Sequence, residues 1–153
     1  MNVLILSPYP EKLIESIEKE GDHPIVCNDD FNIDYLNSNS IDFIVSYGYT
    51  KIINKEIIKY MNNSIINLHI SYLPYNRGYY PNLWSHIEGT PSGVTIHRID
   101  EGIDTGQILF RKELIIDQKI HTFESSYKIL KKEIESLFFN SWIHIRKGNY
   151  KVI

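Results

Sequence analysis

The sequence predicts an α/β domain whose strands form a largely parallel sheet. Three observations lead there. Short runs of strand-forming residues alternate with stretches of helical periodicity through the first half of the chain. One of these runs, at 41–45, carries Ile41, Phe43, Ile44 and Val45, the pattern of a strand buried on both faces. A length of 153 residues, 42% of them hydrophobic, can bury a real core and leaves little room for a second domain.

Val3-Leu4-Ile5-Leu6 opens the chain as a strand and ends at Ser7-Pro8-Tyr9-Pro10, which is turn chemistry. Residues 11–20 read as a helix: Leu13, Ile14 and Ile17 share a face, and Gly21 stops it. Strands follow at 24–27 and 41–45, then a short helix at 55–61 and a strand at 64–68. The second half changes character. After a short helix at 81–88, residues 93–99 and 107–116 read as longer strands joined by a glycine-containing turn at 100–106. An amphipathic helix closes the chain at about 123–145, with Phe123, Tyr127, Leu130, Ile134, Leu137 and Phe138 at helical spacing. Its stripe, Trp142 included, holds more apolar surface than a small sheet needs to cover, which leaves room for a homodimer contact. The whole reads as a Rossmann-like α/β fold: a largely parallel sheet flanked by helices, a C-terminal strand pair and a long amphipathic helix, in one domain over 1–153.

Composition excludes several classes of function. Lys and Arg total 16 against 19 Asp and Glu, a net charge of −3, so a chain-wide basic footprint for nucleic acid is absent. One cysteine, Cys27, cannot form an internal disulfide or a Cys-rich zinc site. His86, His121 and His144 match no metal-ligand spacing, and Asp100 with Glu101 does not follow the calcium-loop pattern. The opening apolar stretch is too short for a signal peptide and lacks a basic flank. No apolar run approaches the roughly 20 residues that span a bilayer. The expectation is a soluble, cytoplasmic protein with no metal, no nucleic-acid partner and no membrane attachment.

Chemistry concentrates where the 64–68 strand ends. In a parallel α/β sheet, sites form at the carboxyl edge of the strands. The strand runs into Asn67-Leu68-His69-Ile70-Ser71-Tyr72-Leu73-Pro74, with Arg77-Gly78 beyond. Asn67 and His69 are two apart, so their side chains share a face in extended chain. Asp104 follows 35 residues after His69, within His97-Arg98-Ile99-Asp100-Glu101-Gly102-Ile103-Asp104-Thr105-Gly106. An amide, an imidazole and a carboxylate on neighbouring strand ends suit acyl transfer, as carbonyl polariser, acid/base and charge partner. On pattern alone, a histidine at a strand end is more often a structural hydrogen-bond partner.

Asn67-x-His69, the Ser71-x-Leu73-Pro74-x-x-Arg77-Gly78 continuation and His97-x-x-Asp100-x-Gly102-x-Asp104-Thr105-Gly106 together resemble the folate-dependent formyltransferase family. That family includes glycinamide ribonucleotide, methionyl-tRNA and nucleotide-sugar formyltransferases. The likeness runs over 41–113, and the segment from Ser46 through Tyr47, Lys51, Ile52 and Ile53 resembles the family's folate-pocket loop. The resemblance implies that 10-formyltetrahydrofolate donates a formyl group to an amine, with no metal. Asn67 would hydrogen-bond the formyl oxygen as it becomes an oxyanion, and His69 would stabilise that charge and help move protons. Asp104 would pair with His69, raise the imidazole pKa and accept a proton from the amine. The pterin pocket would draw on Tyr47, Lys51, Ile52 and Ile53, with backbone from Asp100, Glu101, Gly102 and Ile103, where Gly102 and Gly106 let the loop approach the ring. Lys51 is read either as a solvated surface charge or as the residue that meets the glutamate tail of the folate.

The chain departs from the family in ways that bear on the acceptor. Asn-x-His comes early, as in a shortened N-terminal half. Leu6-Ser7-Pro8-Tyr9-Pro10 lacks the glycine-rich turn by which glycinamide ribonucleotide enzymes hold phosphate. The β-barrel of the methionyl-tRNA enzymes has no counterpart in these residues. An amino sugar on a nucleotide carrier is the remaining familiar acceptor, with Arg77, Tyr79 and Tyr80 as the substrate-binding residues and aromatic faces against the sugar, and the shortened half also allows a different, smaller amine. Trp84 is read either against that sugar or as the seat of the 81–88 helix. Two other functions stay open: a 10-formyltetrahydrofolate hydrolase, and a non-catalytic folate or sugar binder.

Overall fold

The computed structural model describes residues 1–117 and 119–153. Its elements in chain order are β1 (Asn2–Leu6), α1 (Glu11–Lys19), β2 (His23–Val26), α2 (Ile33–Ser38), β3 (Phe43–Tyr47), α3 (Lys55–Met61), β4 (Ile65–His69), α4 (Pro81–Glu88), β5 (Ser92–Arg98), β6 (Ile108–Leu114) and α5 (Phe123–Arg146). They build a six-stranded sheet in the order β2-β1-β3-β4-β5-β6. Pairing is parallel from β2 through β4 and antiparallel from β4 to β6, in line with the predicted parallel half and C-terminal strand pair.

Strand periodicity divides the core between the two faces of the sheet. Val3 and Ile5 join Val45, Ile66 and Ile96 on one face, under Leu13 and Ile17 of α1 and Leu130, Ile134, Phe138 and Trp142 of α5. Leu4, Leu6, Ile44 and Ile65 pack on the other face with Leu36 of α2 and Ile57 and Met61 of α3. Every residue of β3 is buried, as its run of apolar residues requires. Caps mark the helix starts: Asn54 accepts from Glu56 and Ile57 N–H groups at α3, and Thr122 from Ser125 N–H at α5.

The expected surplus on the last helix is not there. Phe138 and Trp142 are fully buried by this chain's own sheet, with the Trp142 ring edge-on to Phe43 at 5.3 Å. Trp142 Nε1 donates to Asp22 Oδ2 at 3.0 Å, and Arg146 grips the same carboxylate at 2.6 and 2.7 Å. Burial alone would raise the Asp22 carboxyl. Arg146 and the Met1 α-ammonium outweigh it and hold the group below its usual range. This clasp fixes the end of α5 to the turn before β2. Phe123, expected on the buried stripe, is half-exposed instead, and Ser126 takes the buried position of the first turn.

Candidate active site

The site begins with strand register. β4 pairs antiparallel with β5 so that Asn67 lies opposite His97, and His69 opposite Thr95. These side chains alternate with Ile66, Leu68, Val94 and Ile96, which pack toward α1 and α5. Asn67, His69 and His97 therefore stand on the other face, beyond β3 and the helices that cover its first strands. The 100–106 loop brings Asp104 back onto them. Asp100 Oδ1 accepts from Gly102 N–H at 3.0 Å and Thr105 Oγ1 at 2.7 Å, closing the loop on itself. A Cβ at Gly106 would collide with the Arg98 carbonyl oxygen, so only glycine lets the loop rejoin the strand end. The closeness that requires glycine at 106 is thus to the chain itself.

Asp104 is the hub. Its Oδ1 lies 3.3 Å from His97 Nε2 and 3.4 Å from Asn67 Nδ2. Its Oδ2 accepts from Gly78 N–H at 2.8 Å and lies 3.5 Å from His69 Nε2. His69 Nε2 also reaches the Asn76 carbonyl oxygen at 3.2 Å. A carbonyl only accepts, so Nε2 carries the hydrogen and the neutral ring keeps its lone pair on Nδ1. Burial pushes the His69 imidazole below its ordinary value of 6.5, against the opposing pull of Asp104 and the Asn76 carbonyl. Asp104 does pull the His69 pKa upward, as expected, but desolvation outweighs that pull and the net shift is downward. Burial would also raise the Asp104 carboxyl, but the two imidazoles and the Gly78 N–H outweigh it and hold the group at about 2. Near neutral pH the arrangement is an ionised carboxylate, a neutral imidazole and an amide N–H converging on one buried point. That combination can polarise a carbonyl and move a proton.

The structure thus brings Asn67, His69 and Asp104 together, and it distributes the other predicted residues differently. Tyr47 faces α5, buried, with its hydroxyl 3.4 Å from Glu135, so its side chain is turned away from Asp104. Strand parity decides this, since Tyr47 follows Phe43 and Val45 onto that face. Ile53 is buried in the α2–α3 core, whereas Ile52 is 93% exposed and Ile103 72% exposed. Lys51 pairs with Asp30 at 2.9 Å, and Glu101 with Lys55 at 2.8 Å, which ties the 100–106 loop to α3. Arg77, Tyr79 and Tyr80 are exposed, and the Tyr79 hydroxyl donates to the Thr50 carbonyl at 3.1 Å, so the 77–80 loop meets the 50–53 loop. Trp84 is half-exposed: Asn82, bonded to the Phe123 carbonyl and Ser126, seats α4 on α5. Sequence reasoning assigned no role to His97, the Asn76 carbonyl or the Gly78 N–H. For His97 a signal existed, since the predicted 93–99 strand places it in alternation with Thr95. Among the described residues there is no group of three or more His, Cys, Asp or Glu that could hold a metal ion, and no helix long and apolar enough to cross a membrane.

Residues 10–140 match the family model described as formyl transferase. Among solved structures, the chain is similar to the formyltransferase PseJ from Anoxybacillus kamchatkensis, in complex with UDP-4,6-dideoxy-4-formamido-L-AltNAc and tetrahydrofolate. The identity is 40%, the TM-score 0.92, and the match covers 100% of this chain and 80% of that one. The chain is also 40% identical over 107 residues to the methionyl-tRNA formyltransferase of Thermodesulfovibrio yellowstonii, covering 69% of this chain and 35% of that protein. With the methionyl-tRNA formyltransferase of Clostridioides difficile the identity is 34% over 133 residues, covering 86% and 43%. The chain spans less than half the length of these two curated relatives.

Proposed function

The chain belongs to the formyl transferase family, and we propose that it moves a formyl group from 10-formyltetrahydrofolate to the primary amine of a nucleotide-linked amino-deoxy sugar. The observation that carries this reading is the Asn67–His69–Asp104 group at the end of β4, in a chain alike over its whole length to a transferase solved with a formamido sugar nucleotide and tetrahydrofolate. In this reading residues 1–153 act as one catalytic domain.

The surroundings suit a folate donor. Ile52 and Ile103 hold exposed apolar side chains on two loops, and the exposed 100–103 backbone offers polar groups beside them. An apolar rim beside a buried polar centre is what a flat heterocycle with a reactive polar arm needs. The exposed Lys51–Asp30 pair can give way to the glutamate tail at small cost, because exposed ion pairs are worth little. When bound, the donor supplies a formyl carbon whose bond to the folate nitrogen breaks as its bond to the acceptor amine forms. Asn67 directs an amide N–H at the formyl oxygen, where negative charge gathers. His69 offers Nδ1 to the proton that the attacking amine gives up and returns a proton to the folate nitrogen as it leaves, since its Nε2–H is engaged by Asn76 and Asp104. Asp104 stays ionised and balances the positive charge that His69 gains. Arg77, Tyr79 and Tyr80 lie on the acceptor side, where aromatic faces can hold a sugar ring without many hydrogen bonds. A small amine rather than a nucleic acid accords with the net charge of −3. Cytoplasmic action belongs to the same reading, in keeping with a single cysteine, Cys27.

An acceptor panel tests it. With 10-formyltetrahydrofolate present, a UDP-linked 4-amino-4,6-dideoxy sugar is expected to gain a formamide. Turnover of methionyl-tRNA or glycinamide ribonucleotide, and of no amino sugar, would overturn the assignment.

A further inference from the structure

We infer that His97 is a positioning residue of this site, holding the Asn67 amide and the Asp104 carboxylate in register through its Nε2. The inference rests on the formyl-transfer reading for its kinetic consequence, and on geometry alone for its starting point. His97 is 1% exposed, directly across the β4–β5 pair from Asn67. Its Nδ1 lies 2.8 Å from the Arg98 carbonyl oxygen. That oxygen can only accept, so Nδ1 carries a hydrogen whatever the state of the rest of the ring. One nitrogen is thus tied to the backbone, and the ring's rotation is fixed.

The other nitrogen is aimed at the chemistry. Nε2 lies 3.4 Å from Asn67 Nδ2 and 3.3 Å from Asp104 Oδ1. As a lone pair it accepts from the amide; carrying a hydrogen, it donates to the carboxylate. Nε2 lies against one Asp104 oxygen while His69 approaches the other, with the two rings edge-to-face at 6.1 Å. Both neighbours of Asn67 Nδ2, His97 Nε2 and Asp104 Oδ1, can accept. The amide therefore turns its NH₂ toward them, and one N–H is held while the second is left to point at a formyl oxygen. A histidine kept only for packing would need its Nδ1 bond and nothing more. The Nε2 side instead touches two of the three reacting side chains, and when it carries a hydrogen its bond to Asp104 favours the ionised carboxylate. Misplacing such a group by about 1 Å is enough to lower turnover on the order of 100-fold.

Two measurements decide the matter. The first is the ¹⁵N spectrum of His97 in the unliganded protein between pH 6 and 8, assigned by its absence in a His97 variant. Nδ1 is expected to be protonated throughout; a neutral ring with its hydrogen on Nε2 alone would overturn the inference. The second compares His97→Gln, whose amide reaches the Nε2 position, with His97→Asn, whose amide reaches only Nδ1. His97→Asn is expected to lower kcat by about 10–100-fold with KM for the donor little changed, and His97→Gln to regain most of that loss. Equal loss in both variants, or a change confined to KM, would contradict a positioning role. Should the Asn variant fail to fold, the tautomer and the Gln variant still decide. If the wild-type protein formylated no amine, the functional reading would fall, while the ¹⁵N result would judge the geometry separately.

Discussion

Asp104 has φ 49°, in the left-handed region that side chains other than Asn and Asp enter at a cost of roughly 1–2 kcal/mol. That backbone turn is what points its carboxylate back at β4, where Gly78 N–H and two imidazoles receive it. Asn67 depends on this arrangement for its orientation. Asn67→Ala is expected to lower kcat by about 10²–10³, the scale of a lost oxyanion donor; a pure rise in KM would make Asn67 a ground-state contact instead. Protonation has a direction too. Because burial holds His69 below 6.5, the acid limb of kcat/KM is expected below pH 6.5; a limb centred above 7 would contradict a depressed imidazole. Stability follows the same sign. Both His69 and Asp104 have folded values below their ordinary 6.5 and 3.8, so the unfolded chain binds more protons in those intervals. Their contribution is full above the ordinary values and is lost as pH falls through the folded ones. Much of this group was legible in the sequence: the spacing of Asn67 and His69 puts them on one face of any strand. Parity also places Tyr47 on the face opposite its neighbour Ser46, a constraint that a loop resemblance does not carry. His97 meets Asn67 only through antiparallel register, which local sequence does not encode.

At the scale of elements, strong periodicity was readable and ends were not. The helix predicted at 55–61 coincides with α3, and that at 81–88 with α4, because Asn54 and Pro81 mark their starts. The strand predicted at 41–45 is found at Phe43–Tyr47, since Ile41 is buried before the strand begins. α2 has six residues and one buried side chain, Leu36, too little for a periodic signal, although Asn32 caps it by accepting from Tyr35 N–H. The long helix was legible, but what covers its apolar stripe was not, because that depends on which face the sheet offers. Trp142 makes the point, with its ring against Phe43 and Phe138 and its N–H on Asp22. Trp142→Ala is expected to destabilise the fold by about 3–5 kcal/mol in urea unfolding, the range for a large aromatic removed from a core. A loss below about 1 kcal/mol would mean that α5 is not anchored there.

Over the whole molecule, the sheet changes from parallel to antiparallel at β4, and the site lies at that change. β4 carries Asn67 and His69 toward its carboxyl end as parallel α/β architecture dictates, and the β5–β6 turn, which leaves the sheet beside Ile65 at the amino end of β4, folds Asp104 back over the face they share. Two hydrophobic clusters hold the sheet from both sides, so the polar group rests on a rigid base, while the exposed Ile52, Tyr79 and Ile103 lie on loops. The division between stiff support and exposed rim is what a group transferase requires: fixed reacting groups, and an opening for two substrates. Whether these 153 residues perform the transfer is read most directly from tetrahydrofolate release, followed with 10-formyltetrahydrofolate in the presence and absence of the UDP-linked amino sugar. The expected result is release that depends on the acceptor, one folate for each formamide formed. Release at the same rate without acceptor would mean that water takes the formyl group, and no release at all would mean a binding protein; either would contradict the account.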